Sequence, residues 1–314
     1  MARFEFRREG RVWLEHSGTY YLLHTTKDVT FSQTFQEKGI RRKTLHSSYT
    51  QNNDTFVEGS SITEANPADF SFTLYMIDDE GFFYHQHKPL DLLLQTTQTI
   101  EGVDNFNLYF VYSDYSPETY YKIEKCVFTS GSFNIPRNGL MTVNLSGTGS
   151  KLTREEASFG QTPDANYKSN PSFAISKEFD VKFNTGSGYV LQDRILGASI
   201  EVQNEVVWTP SATLHESLGV DSEANTIFPT KYTLNARNIG GSIQQYTDAE
   251  VSDGYIQSWE DLGIRIQAGL ASNNYQLETT VQNARFTTRT NFGDVFTQNY
   301  DFRATLDNTI FTYT

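Results

Sequence analysis

The sequence predicts a mainly β protein built as two duplicated domains, each of strands plus one short helix. Three observations predict it. First, the chain repeats itself: Tyr20 and Leu22, with the closing Thr44-Leu45-His46, recur as Tyr189 and Leu191 with Thr213-Leu214-His215, and 189 − 20 and 213 − 44 both equal 169. Second, each copy holds a run of period two, the mark of a strand with one buried and one wet face. Third, the 314 residues include 23 Phe and 18 Tyr, types suited to pleated, half-buried surfaces. Two shorter echoes, Phe72-Thr73-Leu74 with Tyr232-Thr233-Leu234 and Tyr121–Val127 with Tyr275–Val281, come in the same order, which favours a duplication over chance matches.

In chain order, Arg11 to Thr26 alternates about Ser17-Gly18 and predicts a hairpin. In the next run, Phe31, Gln33 and Phe35 share one face, and Thr30, Ser32, Thr34 and Gln36 the other. Lys38 to Pro67 is polar and too long for a simple turn, so an exposed interaction loop is expected there. Phe70–Met76 predicts a strand. Lys88–Gln95 predicts a helix, with Leu90, Leu93 and Leu94 on one face and Pro89 suited to the first turn. Strands are expected at Phe106–Tyr112, Tyr121–Val127 and Leu140–Ser146, the last after an Asn138-Gly139 turn. The stretch Thr153–Pro171 is poor in apolar residues and contains two prolines, as a linker would be. The expected organisation is therefore a first domain at 1–155, a linker at 156–171 and a second domain at 172–314. In the second domain Ile200 and Val202 face one way, and Ser199, Glu201, Gln203 and Glu205 the other. Its expected helix is Ser258–Gly263, interrupted by Gly263.

Charge and composition narrow the function. The net charge of −13 argues against a surface that grips nucleic-acid phosphates, which needs Lys and Arg. At 37 % hydrophobic the core material is lean, so neighbouring subunits are expected to contribute stability. The single cysteine, Cys126, lies in a strand pattern and is expected to be a buried, inert thiol. No apolar run approaches the length of a membrane span, and Met1–Trp13 lacks a secretory apolar region, so synthesis in the cytoplasm is expected.

Catalytic and metal motifs are absent from the text. His85 and His87 could pair toward a metal, but no Cys or carboxylate spacing supports them, and a partly exposed strand or loop is the plainer reading. His46 and His215 are repeat-equivalent, which suits a shared structural position better than catalysis. No phosphate loop, nucleophile elbow or zinc-protease motif occurs. Catalytic residues, metal ligands and cofactors are therefore all expected to be none.

Several segments carry a resemblance: Asp28-Val29-Thr30-Phe31-Ser32-Gln33 before the long polar loop, Phe70–Met76, Gly139–Gly149 and Gly197–Leu234. Together the chain resembles the major tail tube proteins of long-tailed bacteriophages, of the two-domain kind, over most of residues 10–310. The resemblance implies tail-tube-type β-sandwich domains, trimeric rings of pseudo-sixfold symmetry, and stacking of those rings into the conduit through which phage DNA is ejected. It implies a virion protein whose partners are its own copies, the tape measure protein and DNA in the lumen, the tail terminator, baseplate or tip proteins, and a sheath where the tail is contractile.

On that plan Thr30, Ser32, Thr34, Gln36, Ser199, Glu201, Gln203 and Glu205 would face the lumen. Arg41, Arg42, Lys43, Asn52, Asn53, Asp54 and Glu58 would belong to a ring-stacking loop. Within the same class a tube initiator or completion ring is open. The rival class is a β-sandwich receptor- or carbohydrate-binding module of a tail tip or fibre, which would gather its aromatics in loops. A hydrolase lacks an acid/base pair.

Overall fold

The computed structural model describes residues 10–40, 59–77, 84–95, 104–112, 119–165, 167–184, 186, 188–208, 227–246, 261–271, 274–292, 296–305 and 309–313. Among these the fold is mainly β. The first half contains β1 (Arg11–His16), β2 (Thr19–Leu23), β3 (Thr25–Ser32), β4 (Phe35–Ile40), β5 (Gly59–Ala65) and β6 (Ala68–Tyr75), then the helix α1 (Tyr84–Leu94), and then β7 (Phe106–Tyr112), β8 (Thr119–Pro136), β9 (Thr142–Gly149) and β10 (Lys151–Glu156). The second half contains β11 (Glu178–Asn184), β12 (Tyr189–Leu191), β13 (Ile195–Trp208), β14 (Tyr232–Tyr246), β15 (Asp261–Ala271), β16 (Asn274–Phe292), β17 (Phe296–Ala304) and β18 (Thr309–Tyr313).

Period-two alternation builds these strands. In β6, Ala68, Phe70, Phe72 and Leu74 are buried while Asp69 is exposed and Ser71 and Thr73 are half-buried. In β13, Ile200, Val202 and Asn204 point inward and Glu201, Gln203 and Glu205 outward. Turns fall where the chain allows left-handed backbone: Ser17 and Gly18 (φ 52 and 79) join β1 to β2, and Asn138 (φ 56) turns β8 toward β9.

The pairings recur. In the first half β1 pairs with β2 and β7, β8 with β7, β9 and β10, and β6 with β3 and β9. In the second half β11 pairs with β12 and β15, β16 with β15, β17 and β18, and β14 with β13 and β17. The irregularities recur as well: Phe106 faces Cys126 and Leu108 faces Ile123, just as Leu262 faces Ala284 and Ile264 faces Val281. A bulge at Gln36/Glu37 is matched by one at Glu205/Val206.

Counted through the ladders from the shared β7/β15 bulge, Phe31 answers Ile200 and Tyr21 answers Val190. Both are the 169-residue spacing of the Tyr20/Tyr189 echo. The two shorter echoes do not obey this count. Phe72 answers Ile243 rather than Tyr232, and Ile123 answers Val281, so Tyr121 does not answer Tyr275. Tyr-Thr-Leu and Tyr-x-x-x-x-x-Val matches arise easily in β text, and loops of unequal length shift them off register.

One apolar core serves both halves, from Leu14, Phe72, Phe128 and Leu145 to Ile200, Ile264, Phe286 and Tyr300. It is continuous because β13 pairs directly with β8, Gly197–Gln203 against Pro136–Ser130. The helix lies over this junction. Leu90, Leu92 and Leu93 are buried, and Asn204 Nδ2 donates to Leu93 O and Phe128 O, each at 3.1 Å. Arg237 completes the joint, donating from Nε to Asn204 Oδ1 (2.8 Å), from Nη1 to Leu94 O (3.1 Å) and from Nη2 to Leu93 O (3.2 Å). A cation here meets the carbonyl end of α1, where the helix dipole is negative.

Several sequence expectations change. The helix begins at Tyr84, so Pro89 lies inside it and His85 and His87 are helical rather than on a strand or loop. Asp261–Gly263 opens β15 instead of a helix: Ile264 and Ile266 alternate into the core, which outweighs a weak helical pattern, while Ser258–Glu260 lie outside the described residues. The expected loop Lys38–Pro67 is shorter than its text suggests, because β4 and β5 pair from Phe35/Ala65 to Ile40/Gly59.

The expected linker shortens too, since β10 carries the strand structure to Glu156, paired with Thr119. Beyond Glu156 the chain forms a strap over the outer face of the first half. Phe159 is packed among Trp13, Tyr20, Tyr109 and Tyr120, with ring centroids 5.1–6.0 Å away. The ladder count gives Lys182, Tyr189, Arg265 and Glu278 at the corresponding places of the second half. Those side chains satisfy one another, with Arg265 4.3 Å over the Tyr189 ring, Lys182 Nζ donating to Gln267 Oε1 (2.7 Å) and Gln267 Nε2 to Glu278 Oε2 (2.6 Å). An aromatic face needs a cover, and a polar one does not.

Candidate functional site

Eight strands form one unbroken antiparallel sheet in the order β3-β6-β9-β8-β13-β14-β17-β16. One face of it is the core, and the pleat sends alternate residues to the other. Ser32 lies beside Asp69, Ser71 beside Ser146, and Ser130 beside Gln203. Glu201 lies between Ser132 and Gly240, Ser242 beside Asp301, and Asn299 beside Arg289. The outward face is thus small and polar. Ser–Ser contacts cross it at 2.6 Å (Ser130 and Ser146) and 2.9 Å (Ser199 and Ser242).

The residues singled out by the sequence fall on or beside this face. Glu201, Gln203 and Glu205 are exposed on β13 and Ser199 is half-buried. Thr30 and Ser32 are exposed on β3. Thr34 and Gln36 are exposed too, but the run 30–36 is not one strand. It breaks at Gln33 and Thr34, and Gln36 belongs to the separate β4-β5 ribbon. The break has a cause in Gln33. Its amide donates to Asn66 O and Ser150 O and accepts from Leu152 N, all at 2.9 Å, which draws the backbone out of the β3 ladder. Phe35, expected inward, is 44 % exposed on the ribbon. Arg41, Arg42, Lys43, Asn52, Asn53, Asp54, Glu58, His46 and His215 lie outside the described residues.

Two shallow depressions mark the face at matching places. One, about 370 Å³, is lined by Thr30, Ser32, Asp69, Phe70, Ser146 and Gly147 among others. Its counterpart, about 400 Å³, is lined by Glu201, Gly240, Gly241, Asp301, Phe302 and Arg303 among others. Each contains a cross-strand aromatic–glycine pair with the partners exchanged: Phe70 faces Gly147, and Gly241 faces Phe302. A Cβ at Gly147 would run into the Val127 carbonyl and the Phe70 ring, and one at Gly241 into the Ser199 carbonyl and the Phe302 ring. The ring lies where the missing side chain would be, so glycine is required at both places.

The chemistry of this surface is that of a wetted wall. Among the described residues no three His, Cys, Asp or Glu converge as metal ligands would. The buried Cys126 Sγ donates to Ile123 O, and burial raises its thiol pKa well above the ordinary value, the opposite of an activated nucleophile. Tyr120, half-buried on the outer face, is pushed up to about 12 by its hydrogen bond to Glu155 and by desolvation, so it stays a neutral donor.

A model of the Bacteriophage Baseplate Tube Protein Family matches residues 2–310. The chain belongs to that family. No curated protein matches it. The family is one of phage baseplate tube components, so this member is a structural protein of the virion tail apparatus. The resemblance to tail tubes holds at that level, and the family description does not specify the major tube of a long-tailed phage.

Sequence reasoning missed part of the family member's polar face. Arg285, Arg289 and Arg303 lie on it, on β16 and β17, with Asp69 and Asp301. Two of the arginines are paired on the surface, Arg285 Nε with Asp261 Oδ1 and Arg289 Nη2 with Asp301 Oδ2, both at 3.2 Å. The residues named on β3 and β13 include no base, whereas β16 and β17 bring arginines to the same sheet. The alternation Arg285-x-Thr287-x-Arg289-x-Asn291 carried that signal in the sequence.

Proposed function

We propose that this chain is a ring-building unit of the baseplate tube. Its two halves, 1–155 and 172–314 joined by 156–171, are copies of one unit, and three chains close a ring of six such units. The observation that carries the reading is the recurrence of the first half's strand pairings in the second, with the β7/β8 and Gln36/Glu37 bulges matched in β15/β16 and β13/β14. Two units already joined side by side within one chain would make one segment of such a ring, and closure removes exposed sheet edges.

The polar face of the eight-stranded sheet lines the channel on this reading. It offers hydroxyls, amides and carboxylates, and of Arg285, Arg289 and Arg303 the first two are already engaged with Asp261 and Asp301. DNA meets few free cations there, so counterion-release binding is weak and the genome slides. Arg41, Arg42, Lys43, Asn52, Asn53, Asp54 and Glu58, which fall between β4 and β5 in the sequence, are assigned to the contact with the next ring in the stack. Tape measure protein, tail terminator and baseplate proteins are the partners this role requires. The family description favours a place at the baseplate end, the initiator position, over the shaft of the tail.

Negative-stain microscopy of the purified chain tests the reading. Hollow rings or short tubes support it, whereas dispersed monomers that bind glycans would replace it with a receptor-binding module.

A further inference from the structure

We propose that the outer edge of β3 pairs antiparallel with the outer edge of β16 in a second copy of the chain, in the register by which β13 pairs with β8. The proposal rests on the ring-building reading and adds the contact by which the ring closes.

The eight-stranded sheet ends in β3 on one side and β16 on the other. Among the described residues β3 is paired only with β6. From Thr287 onward β16 is paired, among the described residues, only with β17, since its pairing with β18 spans Leu277–Val281. Their counterparts are covered on both sides: β13, which answers β3, pairs with β14 and also with β8, and β8 answers β16. The contact between the two halves of one chain is therefore made by the two kinds of strand edge that, among the described residues, no further strand pairs with at the ends of the sheet. Sheet edges of this length invite a strand, and the complementary edge exists on every copy.

The register comes from residues already placed. Ser130 faces Ser146 as Thr287 faces Asp301, so Thr287 answers Ser130. Gln203, Glu201 and Ser199 face Ser130, Ser132 and Asn134, and they answer Thr34, Ser32 and Thr30. The seam therefore sets Ser32 of one copy against Arg289 of the next, Phe31 against Thr290, and Thr30 against Asn291. Charge agrees with this assignment. Arg289 would stand opposite Ser32, whose neighbour on β6 is Asp69, so a basic edge meets an acidic one. The polar residues of both edges stay on the same face, so the wall remains continuous across the seam.

Cysteine pairing tests the register. One chain carries Ser32→Cys and another Arg289→Cys, the two are mixed under mild oxidant, and products are separated without reductant and mapped by mass spectrometry. Facing Cα atoms in an antiparallel pair lie about 4.5–5.5 Å apart, within disulfide reach. The buried Cys126 provides no competing thiol. Covalent dimers joined 32 to 289, at least ten-fold above the Ser32→Cys and Arg285→Cys mixture, are expected, because four residues along a strand is about 13 Å. A single chain carrying both Ser32→Cys and Arg289→Cys should give a ladder that stops at three copies. Rings in the micrographs without the 32–289 link, or with the 32–285 link dominant, overturn the seam and leave the ring-building reading in place. Monomers alone at every concentration overturn both.

Discussion

Arg237 holds the two halves in register, and its removal gives the most quantitative check of the internal joint. The guanidinium donates to Asn204 Oδ1, Leu94 O and Leu93 O at 2.8–3.2 Å. Asn204 is only 4 % exposed, so Arg237→Ala leaves a buried amide oxygen without this donor and uncaps the carbonyl end of α1. Hydrogen bonds from charged donors contribute about 1.5–3 kcal/mol each in favourable settings. Arg237 itself is half-buried, so water replaces part of the loss, and a total of about 2–4 kcal/mol is expected. At about 2–4 °C per kcal/mol for chains of this order, the calorimetric midpoint should fall by about 4–16 °C. Arg237→Lys, a point charge without the planar fork, should recover less than half of that. The exposed pair Arg154–Glu156 provides the control, and Arg154→Ala should move the midpoint by about 1 °C or less. A midpoint for Arg237→Ala within about 1 °C of wild type would refute the reasoning, because no cross-half lock would then exist.

Four further outcomes are expected. Phe159→Ala removes a ring shared by four aromatic neighbours and should cost about 2–4 kcal/mol, with faster proteolysis between residues 157 and 171 and an unchanged digestion pattern in the second half; equal nicking of wild type and variant would count against the strap. Burial holds His24 and His16 below the usual 6.5, so the unfolded chain takes up more protons as pH falls. The stability held by these groups should be full above pH 6.5 and lost as pH drops through 6.5 toward the folded values, and a urea midpoint that rises on acidification from about pH 7 to 5 would contradict this. Gly147→Ala should yield little soluble protein, since its Cβ meets the Val127 carbonyl and the Phe70 ring, whereas Gly160→Ala, in open space at φ +57, should cost only about 1 kcal/mol. Glu201→Lys with Glu205→Lys should assemble normally and slow DNA ejection, more so at low salt, and an unchanged ejection rate at low salt would remove these side chains from the DNA path.

Much of this fold was legible in local pattern, and the failures have physical causes. Strict alternation marked β6 and β13 because one face packs and the other is wet, and Ser17-Gly18 and Asn138 announced their turns. The spacing of Tyr20 and Tyr189 survives as strand register because both lie in short, tightly connected hairpin strands. Long-range competition hid the rest. Gln33 breaks β3 through partners at Asn66, Ser150 and Leu152, distant in sequence. The Asp261–Gly263 stretch becomes strand because β11 and β16 flank it. The Arg237–Asn204–Leu93 lock ties Leu93 to two residues more than a hundred positions away, and no local signal marks it.

The central claim is that two copies of one unit per chain make three chains a closed wall with its polar face inward. A cryo-EM reconstruction of the assembled baseplate tube measures this directly. The account predicts three chains per ring, one continuous sheet around the channel, and Glu201, Glu205 and Arg289 pointing into it. Six chains per ring, or Glu201 and Glu205 facing the outside of the assembly, would contradict it.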